Sequence, residues 1–80
     1  MRPEDVKPGV KVRHYRGGEY RIILRGIIES SGTLAVVYQP LDLANYECYW
    51  IRPLTEGENP FCGEASPGVE RFTVIPEDQP

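Results

Sequence analysis

Glycine and proline interrupt this chain too often for a long helix to form. Eight of each occur among 80 residues, and they fall between short apolar runs rather than in one block. Because both residue types break regular secondary structure, this distribution favours short strands joined by turns. A domain of this size buries only about 60% of the surface that its unfolded chain exposes. We therefore predict one domain over residues 1–80, with a small core.

Alternating apolar and polar residues predict five strands. The first two cover residues 10–16 and 19–28. Gly17-Gly18 between them predicts a tight type I′ hairpin turn, because that turn requires positive φ angles. Gly26 interrupts the second strand and predicts a bulge or a sharp bend there. The other strands are predicted at residues 33–39, 48–52 and 69–75.

These strands predict an all-β fold, a small five-stranded antiparallel SH3-like barrel over about residues 9–75. An OB-like barrel is the second choice, because it normally carries a helix for which the connection at residues 41–47 is short. A polar lead-in precedes the barrel and a frayed polar tail follows it. Residues 55–68 are predicted to form a long loop anchored by Phe61.

Charge and cysteine content limit the possible partners. The net charge of −3 argues against a dedicated duplex-binding protein, whose affinity depends on basic residues. Seven of the nine basic residues precede residue 26, however, so a local basic face stays open. Without a signal peptide or a membrane-length apolar run, we expect a cytoplasmic protein with no membrane partner. Cys48 and Cys62 are expected to be free thiols, and no metal or cofactor is predicted.

Short sequence blocks follow one another in a characteristic order. They are Tyr15 with the glycine pair and Tyr20, then Val36-Val37-Tyr38, Trp50-Ile51-Arg52-Pro53-Leu54 and Arg71-Phe72. In this order they resemble a family of small bacterial proteins called domain of unknown function 1653, over roughly residues 9–75. The resemblance implies a compact β-barrel, and it implies no reaction, cofactor or partner.

The chain departs from this family pattern in two places. Family members tend to follow the Arg-Pro-Leu block with a bulky Met-Phe segment, where this chain has residues 55–61. The connection after Tyr38 is also longer and more polar. We therefore expect contacts made by these loops to differ even where the barrel is shared.

Seven side chains could form a stacking and ion-pairing site. Guanidinium groups lie well over aromatic faces, and their planar fork suits a carboxylate or a phosphate. The candidates are His14, Tyr15, Arg16, Tyr38, Trp50, Arg52 and Arg71. No catalytic role is assigned to any of them.

The aromatic candidates also have structural interpretations. Trp50 is the sole tryptophan, and we expect it to be buried as the central packing residue. Tyr38 and Tyr20 are expected to be structural too. His14 shares a strand face with two valines, so we expect it to be partly buried and hydrogen-bonded rather than a catalytic base.

The arginines have such interpretations as well. Arg52 either bridges to Glu47 or Glu70 or meets a ligand, and the sequence leaves both possibilities open. Arg71-Phe72 is interpreted as a salt bridge followed by a core aromatic residue.

The chain carries no sequence pattern of a serine hydrolase, a zinc protease or a P-loop enzyme, so we expect no enzyme. The favoured function is a non-enzymatic module that binds a protein or peptide segment across an aromatic surface. The alternative is a nucleic-acid module that binds RNA or single strands through the basic first hairpin and exposed tyrosines. Net charge does not favour this alternative.

Overall fold

The computed structural model describes residues 1–42 and 48–76. A short 3-10 helix, Pro3–Asp5, precedes the strands in this part of the chain. The strands are β1 (Lys11–His14), β2 (Glu19–Ile28), β3 (Thr33–Pro40), β4 (Trp50–Pro53), β5 (Glu64–Ser66), β6 (Val69–Glu70) and β7 (Phe72–Val74). The predicted loop or helical turn at residues 41–47 and the predicted frayed tail fall largely outside the described residues.

Five of the strands form one antiparallel sheet in the order β4-β3-β2-β1-β7, and β5 and β6 form a separate hairpin. The all-β prediction is confirmed. Over the described ranges, β4 and β7 are the two edges of the sheet and do not pair with each other. Closure into an SH3-like or OB-like barrel therefore stays a prediction.

The hairpin between β1 and β2 forms where predicted, but its turn is of a different type. The Gly17 N–H donates to the His14 carbonyl, and the His14 N–H donates to the Gly18 carbonyl, both at 2.7 Å. Only Gly17 has a positive φ, of 109°. This is a three-residue loop with a glycine bulge rather than a two-residue type I′ turn. Tyr15 and Arg16 consequently occupy the exposed tip.

The two glycines of this hairpin serve different purposes. Gly17 supplies the positive φ that side-chain-bearing residues rarely adopt. Gly18 leaves room for Tyr20, whose hydroxyl oxygen would lie 3.0 Å from a Cβ added at position 18. The glycine pair therefore fixes both the turn and the position of a neighbouring ring.

The bulge predicted at Gly26 lies elsewhere. The register between β2 and β3 shifts between Ile22 and Leu24, whereas Gly26 pairs regularly with Ala35. An extra residue reverses the alternation of side chains along a strand. Ile22 is therefore fully buried while Leu24, two residues later along the strand, is exposed.

The predicted last strand, residues 69–75, is divided in two. Its first part, β6, pairs with β5, and its second part, β7, pairs with β1. Arg71 lies at the junction, where its N–H donates to the Gly63 carbonyl and its carbonyl accepts from the Tyr15 N–H, both at 2.9 Å. The chain thus crosses from the small hairpin into the main sheet at this residue.

The core lies on one side of the sheet and is closed by the long loop. Phe61, the predicted anchor of that loop, is fully buried. Its ring stacks on Phe72 with centroids 4.1 Å apart and planes 7° apart. The buried core consists of Val6, Val12, Ile22, Val36, Tyr38, Leu54, Phe61 and Phe72.

The prediction that Trp50 is the central packing residue is wrong. Trp50 begins the edge strand β4, and 51% of its surface is exposed. The centre of the core is occupied instead by Phe61, Phe72 and Tyr38, one of which comes from a loop. Residues from the strands and from the long loop therefore fill the core without the tryptophan.

Candidate functional site

A row of aromatic rings crosses the core-facing side of the sheet. The His14 ring lies 4.6 Å from the Tyr15 ring and 5.0 Å from the Phe72 ring, centroid to centroid. The Phe72 ring lies 5.6 Å from that of Tyr38, which pairs across strands with Trp50. Directly opposed residues of antiparallel strands share a face of the sheet. Three of the predicted site residues, Tyr15, His14 and Tyr38, therefore belong to one row of rings, and Trp50 lies on the same face of the sheet opposite Tyr38.

One end of this row reaches solvent while its other end is buried. Tyr15, at the hairpin tip, is 45% exposed, and Trp50, opposite the other end, is about as open. Phe72 and Tyr38 between them are buried, as predicted for core aromatics. The row thus runs from the exposed ring of Tyr15 into the core, and the exposed Trp50 lies opposite its buried end.

Arg52 lies over the middle of the row and is held in place by neutral groups. Its Nε donates to the Tyr38 hydroxyl and its Nη1 to the Asn59 carbonyl, both at 2.9 Å. Its Cζ lies 5.3 Å from the centroid of the Phe72 ring. These contacts fix the plane of the guanidinium group. Within the described residues its Nη2 has no hydrogen-bond acceptor.

Of the two carboxylate partners predicted for Arg52, Glu70 is the one that the structure describes, and it forms no ion pair with Arg52. Glu70 forms an ion pair with the amino terminus of the chain instead. Glu47 lies outside the described residues. A bridge from Arg52 to Glu70 is therefore excluded by the pairing of that carboxylate elsewhere.

Arg16 stands beside Tyr15 at the hairpin tip. Its Nε donates to the Tyr15 hydroxyl at 3.1 Å, and its Cζ lies 5.4 Å from the centroid of that ring. No carboxylate of residues 1–42 or 48–76 forms an ion pair with it. Arg13, three residues earlier and on the opposite face, is by contrast paired with Glu19 at 2.6 Å.

His14 lies among these arginines. Its Nδ1 accepts a hydrogen bond from the Arg16 backbone N–H at 3.2 Å, so the expected hydrogen-bonded histidine is confirmed. Burial lowers the pKa of His14, and the charges of Arg52, Arg16 and Arg71 lower it further. The ring is therefore neutral at pH 7, with its proton on Nε2 because Nδ1 is an acceptor.

Arg71 is separated from the other candidates by its contacts. It is only 8% exposed, and its guanidinium group donates to the Pro60 carbonyl at 2.8 Å and the Glu64 carbonyl at 3.1 Å. The predicted salt bridge is wrong, because backbone oxygens of the long loop take the place of a carboxylate. Arg71 tethers that loop, although its charge still acts on His14.

Sequence reasoning missed two residues of this arrangement. Phe72 was expected only in the core, yet its ring also lies under Arg52. Asn59 contributes a backbone carbonyl to Arg52 from a left-handed conformation with φ of 51°. Asparagine tolerates that conformation better than most residues, which is the one indication available in the sequence. No spacing in the chain places position 59 beside Arg52.

An open groove adjoins the row on the Tyr20 side. It has a volume of about 490 Å³ and runs between the β1–β2 hairpin and the end of β3. Two acidic residues line it, Glu19 and Asp42, and the carboxylate of Glu19 is paired with Arg13. No basic residue of the described part of the chain lines the groove, in contrast to the arginines beside the aromatic row.

The two cysteines are free thiols, as predicted. Cys48 is exposed and Cys62 is partly buried, and burial raises the pKa of the Cys62 thiol. Across residues 1–42 and 48–76, no three His, Cys, Asp or Glu side chains are grouped closely enough to hold a metal ion. The described part of the chain also has no helix of the length and apolar character needed to cross a membrane.

Comparison with protein families identifies the group to which this fold and surface belong. Residues 10–73 match the family described as protein of unknown function DUF1653. The chain belongs to this family. The match spans all seven candidate residues, from His14 to Arg71. Comparison with curated proteins and with solved structures gave no significant match.

Proposed function

We propose that this DUF1653 protein is a non-enzymatic interaction module that binds a peptide or protein segment. The proposed contact area is the aromatic–arginine surface, defined here as His14, Tyr15, Arg16, Trp50 and Arg52. The observation that carries the proposal is that two half-exposed rings, one in the aromatic row and one opposite its buried end, accompany two guanidinium groups that retain unused donors.

The residue types of this surface support a binding role. Tyrosine, tryptophan and arginine are enriched among the residues that dominate interface energies. An exposed ring adjoining a buried one also offers a rigid apolar surface, because its neighbours fix its position. Trp50 lies opposite the buried Tyr38 on the neighbouring strand, and the ring of Tyr15 adjoins the half-buried ring of His14.

The surroundings of His14 support a function without catalysis. A general base needs a free acceptor nitrogen, and Nδ1 of His14 already accepts a backbone N–H. The neighbours described around it are aromatic rings and arginines rather than a nucleophile. The raised pKa of Cys62 is likewise the opposite of what a nucleophilic thiol requires.

The distribution of basic residues favours a peptide over a nucleic acid. Lys11, Arg13 and Arg21 point to the outer face of the sheet, and Arg16 stands at the hairpin tip beside the inner face. Arg13 is also neutralised by Glu19. A nucleic-acid strand needs a basic track along its phosphates, and the first hairpin divides its basic residues between two faces.

The experiment is selection of a displayed random-peptide library on the purified protein. Trp50→Ala serves as the test variant and Ile51→Ala as the control. Ile51 is the next residue of β4, is 64% exposed and points to the opposite face. We expect a convergent peptide motif on the wild-type and Ile51→Ala proteins, and no enrichment of that motif on Trp50→Ala.

Circular dichroism of both variants establishes that they remain folded. Equal enrichment on the Trp50→Ala protein would place recognition elsewhere on the chain. Failure of any motif to converge on the folded wild-type protein would refute the peptide-binding function itself.

A further inference from the structure

The aromatic–arginine surface holds unpaired positive charge in a protein that is acidic as a whole. The chain has nine Lys and Arg residues against twelve Asp and Glu, giving a net charge of −3. Even so, Arg16 and Arg52 have no carboxylate partner within the described ranges, while Arg13 on the other face does. Other basic side chains of the described residues also lack a carboxylate partner, so what distinguishes Arg16 and Arg52 is that each guanidinium group lies over an aromatic ring.

Three side chains of this surface retain hydrogen-bond donors that are unused within the described part of the chain. Arg16 uses its Nε on the Tyr15 hydroxyl, which leaves both terminal nitrogens of its guanidinium group for a ligand. Arg52 uses Nε and Nη1, which leaves Nη2. His14 accepts at Nδ1, which leaves the N–H at Nε2. Guanidinium and imidazole N–H groups are donors that suit an anionic oxygen.

We infer that this surface recognises a carboxylate, so that the peptide segment it binds is acidic and places an Asp or Glu side chain against Arg16, Arg52 and His14. The inference rests on the proposed peptide-binding function and specifies the ligand of that same surface. The carboxylate accepts from the free guanidinium nitrogens and from His14 Nε2, while Tyr15 and Trp50 contact the apolar parts of the segment.

The contacts of Arg52 prepare it for this role. Its guanidinium plane is fixed by the Tyr38 hydroxyl, the Asn59 carbonyl and the Phe72 ring before any ligand arrives. A donor that is already oriented loses little conformational entropy on binding. Arginine is suited to this position because its planar fork makes two contacts in fixed directions and holds a further donor in the same plane, whereas the three donors of a lysine rotate on a flexible stem.

The adjoining groove limits the ligand to one or few charges. Glu19 and Asp42 line the groove beside Tyr20. Glu19 is paired with Arg13, so a phosphate backbone that continued along this groove would be repelled mainly by Asp42. A peptide can bind with a single carboxylate at the arginines while its neutral residues lie along the groove. The charge pattern therefore favours an acidic peptide over a nucleic acid.

The pKa of His14 should respond to the charge of a ligand bound at this surface. Burial is the largest cause of the lowered pKa of this ring, and the charged groups that lower it further are Arg52 from β4, Arg16 from the hairpin tip and Arg71 from the junction of β6 and β7. A carboxylate bound among these groups stabilises the protonated ring, so binding raises the pKa of His14. By linkage, the ligand binds more tightly as the pH falls through that pKa.

The test uses two blocked peptides in an NMR titration of the ¹⁵N-labelled protein. The probe is acetyl-Ala-Glu-Ala-Glu-Ala-amide, and the matched control replaces both glutamates with glutamine. We expect the glutamate peptide to shift the Nε–H resonances of Arg16 and Arg52 and to bind about tenfold more tightly than its control. Saturation should also raise the pKa of the His14 ring.

Two arginine variants locate the contact. Arg16→Gln should weaken the glutamate peptide by about tenfold. Arg21→Gln removes the same charge from the opposite face of β2 and should leave the affinity unchanged. Because Arg16 is exposed at the hairpin tip, its replacement preserves the fold, which the amide spectrum of each variant confirms.

The possible results separate this inference from the function on which it rests. Equal binding of both peptides at this surface refutes carboxylate recognition and leaves the peptide module standing. Binding of an oligothymidylate but of neither peptide refutes both ideas in favour of a nucleic acid. Absence of any shift at Arg16 and Arg52 with the glutamate peptide refutes the carboxylate site even if library selection yields neutral peptides.

Discussion

Replacing Phe61 with alanine should remove a large share of the stability of this domain. The Phe61 ring is fully buried, stacks on Phe72 at 4.1 Å and meets the Tyr38 ring edge-on at 5.2 Å. Truncation of a buried phenylalanine costs about 3–5 kcal/mol, because the transfer free energy is lost and a cavity remains. Phe61 is also the residue that fastens the long loop to the sheet, so little can collapse into the space.

The size of this loss can be compared with the total. At about 0.05–0.15 kcal/mol per residue, a chain of 80 residues is stable by roughly 4–12 kcal/mol. With a slope of about 1 kcal/mol per molar urea for a small domain, the midpoint of unfolding should fall by about 3–5 M. Urea unfolding followed by circular dichroism and by Trp50 fluorescence measures this shift.

Two further variants make the measurement decisive. Ile51→Ala truncates an exposed residue and should change stability by no more than about 0.5 kcal/mol. Phe61→Leu keeps most of the volume and should cost about 1–1.5 kcal/mol, so it gives a measurable transition even if Phe61→Ala is unfolded. A loss below about 1 kcal/mol for Phe61→Ala, with the slope unchanged, would show that the long loop does not pack into the core.

Three further predictions concern the turn, the loop and the surface. Gly17→Val should lower the free energy of unfolding by about 1–3 kcal/mol in a thermal melt, because φ is 109° at this residue. Gly26→Val is the control and should be tolerated, because Gly26 lies in an open strand position without a positive φ. Equal losses of stability in the two variants would contradict the turn geometry. Arg71→Leu should cost about 2–4 kcal/mol in urea unfolding because two loop carbonyls lose their donor, and unchanged stability would contradict that tether. Because arginines surround this surface, the anion iodide should quench the fluorescence of the exposed Trp50 more strongly than the cation caesium does. Arg16→Gln should reduce this difference between the two quenchers. Equal quenching by both ions would exclude a local positive potential.

The parts of this fold that the sequence predicted are those governed by neighbouring residues. The β1–β2 hairpin follows from two alternating runs around a glycine pair, and the anchor at Phe61 follows from one large apolar residue in a polar segment. Both depend on local backbone preference or on burial of a single side chain. For this reason they need no knowledge of the tertiary arrangement.

The misplaced features depend on contacts between distant segments. Trp50 lies outside the core because Phe61, eleven residues later, fills the space that the tryptophan was expected to occupy. Arg71 was predicted to pair with a carboxylate, but the loop ending in β5 brings backbone carbonyls to it. The bulge lies at Ile22/Leu24 rather than at Gly26 because register is set by the pairing of β2 with β3. Alternation within one strand carries no information about any of these.

The candidate residues were predicted as one set, yet in the structure they differ in exposure and in their contacts. Arg71 and Tyr38 face inward and hold the loop and the core, whereas Tyr15 and Arg16 stand at a hairpin tip that the observed turn exposes. The exposure of Tyr15 and Arg16 follows from the three-residue loop, because a two-residue turn at the glycines would have placed both residues in the strand. The difference between two kinds of hairpin therefore decides which residues can meet a partner.

Arg52 belongs both to the residues that hold the core and the loop and to those that a partner can reach. Its contacts with Tyr38, Phe72 and Asn59 connect the exposed face to the core and to the long loop. Loss of its side chain therefore removes a donor from the surface and also leaves a buried hydroxyl without a partner, so stability and binding should fall together. Arg16 contacts only Tyr15 through its side chain, so its loss should affect binding alone. The proposed site therefore has one arginine fixed by the core, Arg52, and one at the hairpin tip that can adjust to the ligand, Arg16. This combination suits recognition of a flexible acidic segment.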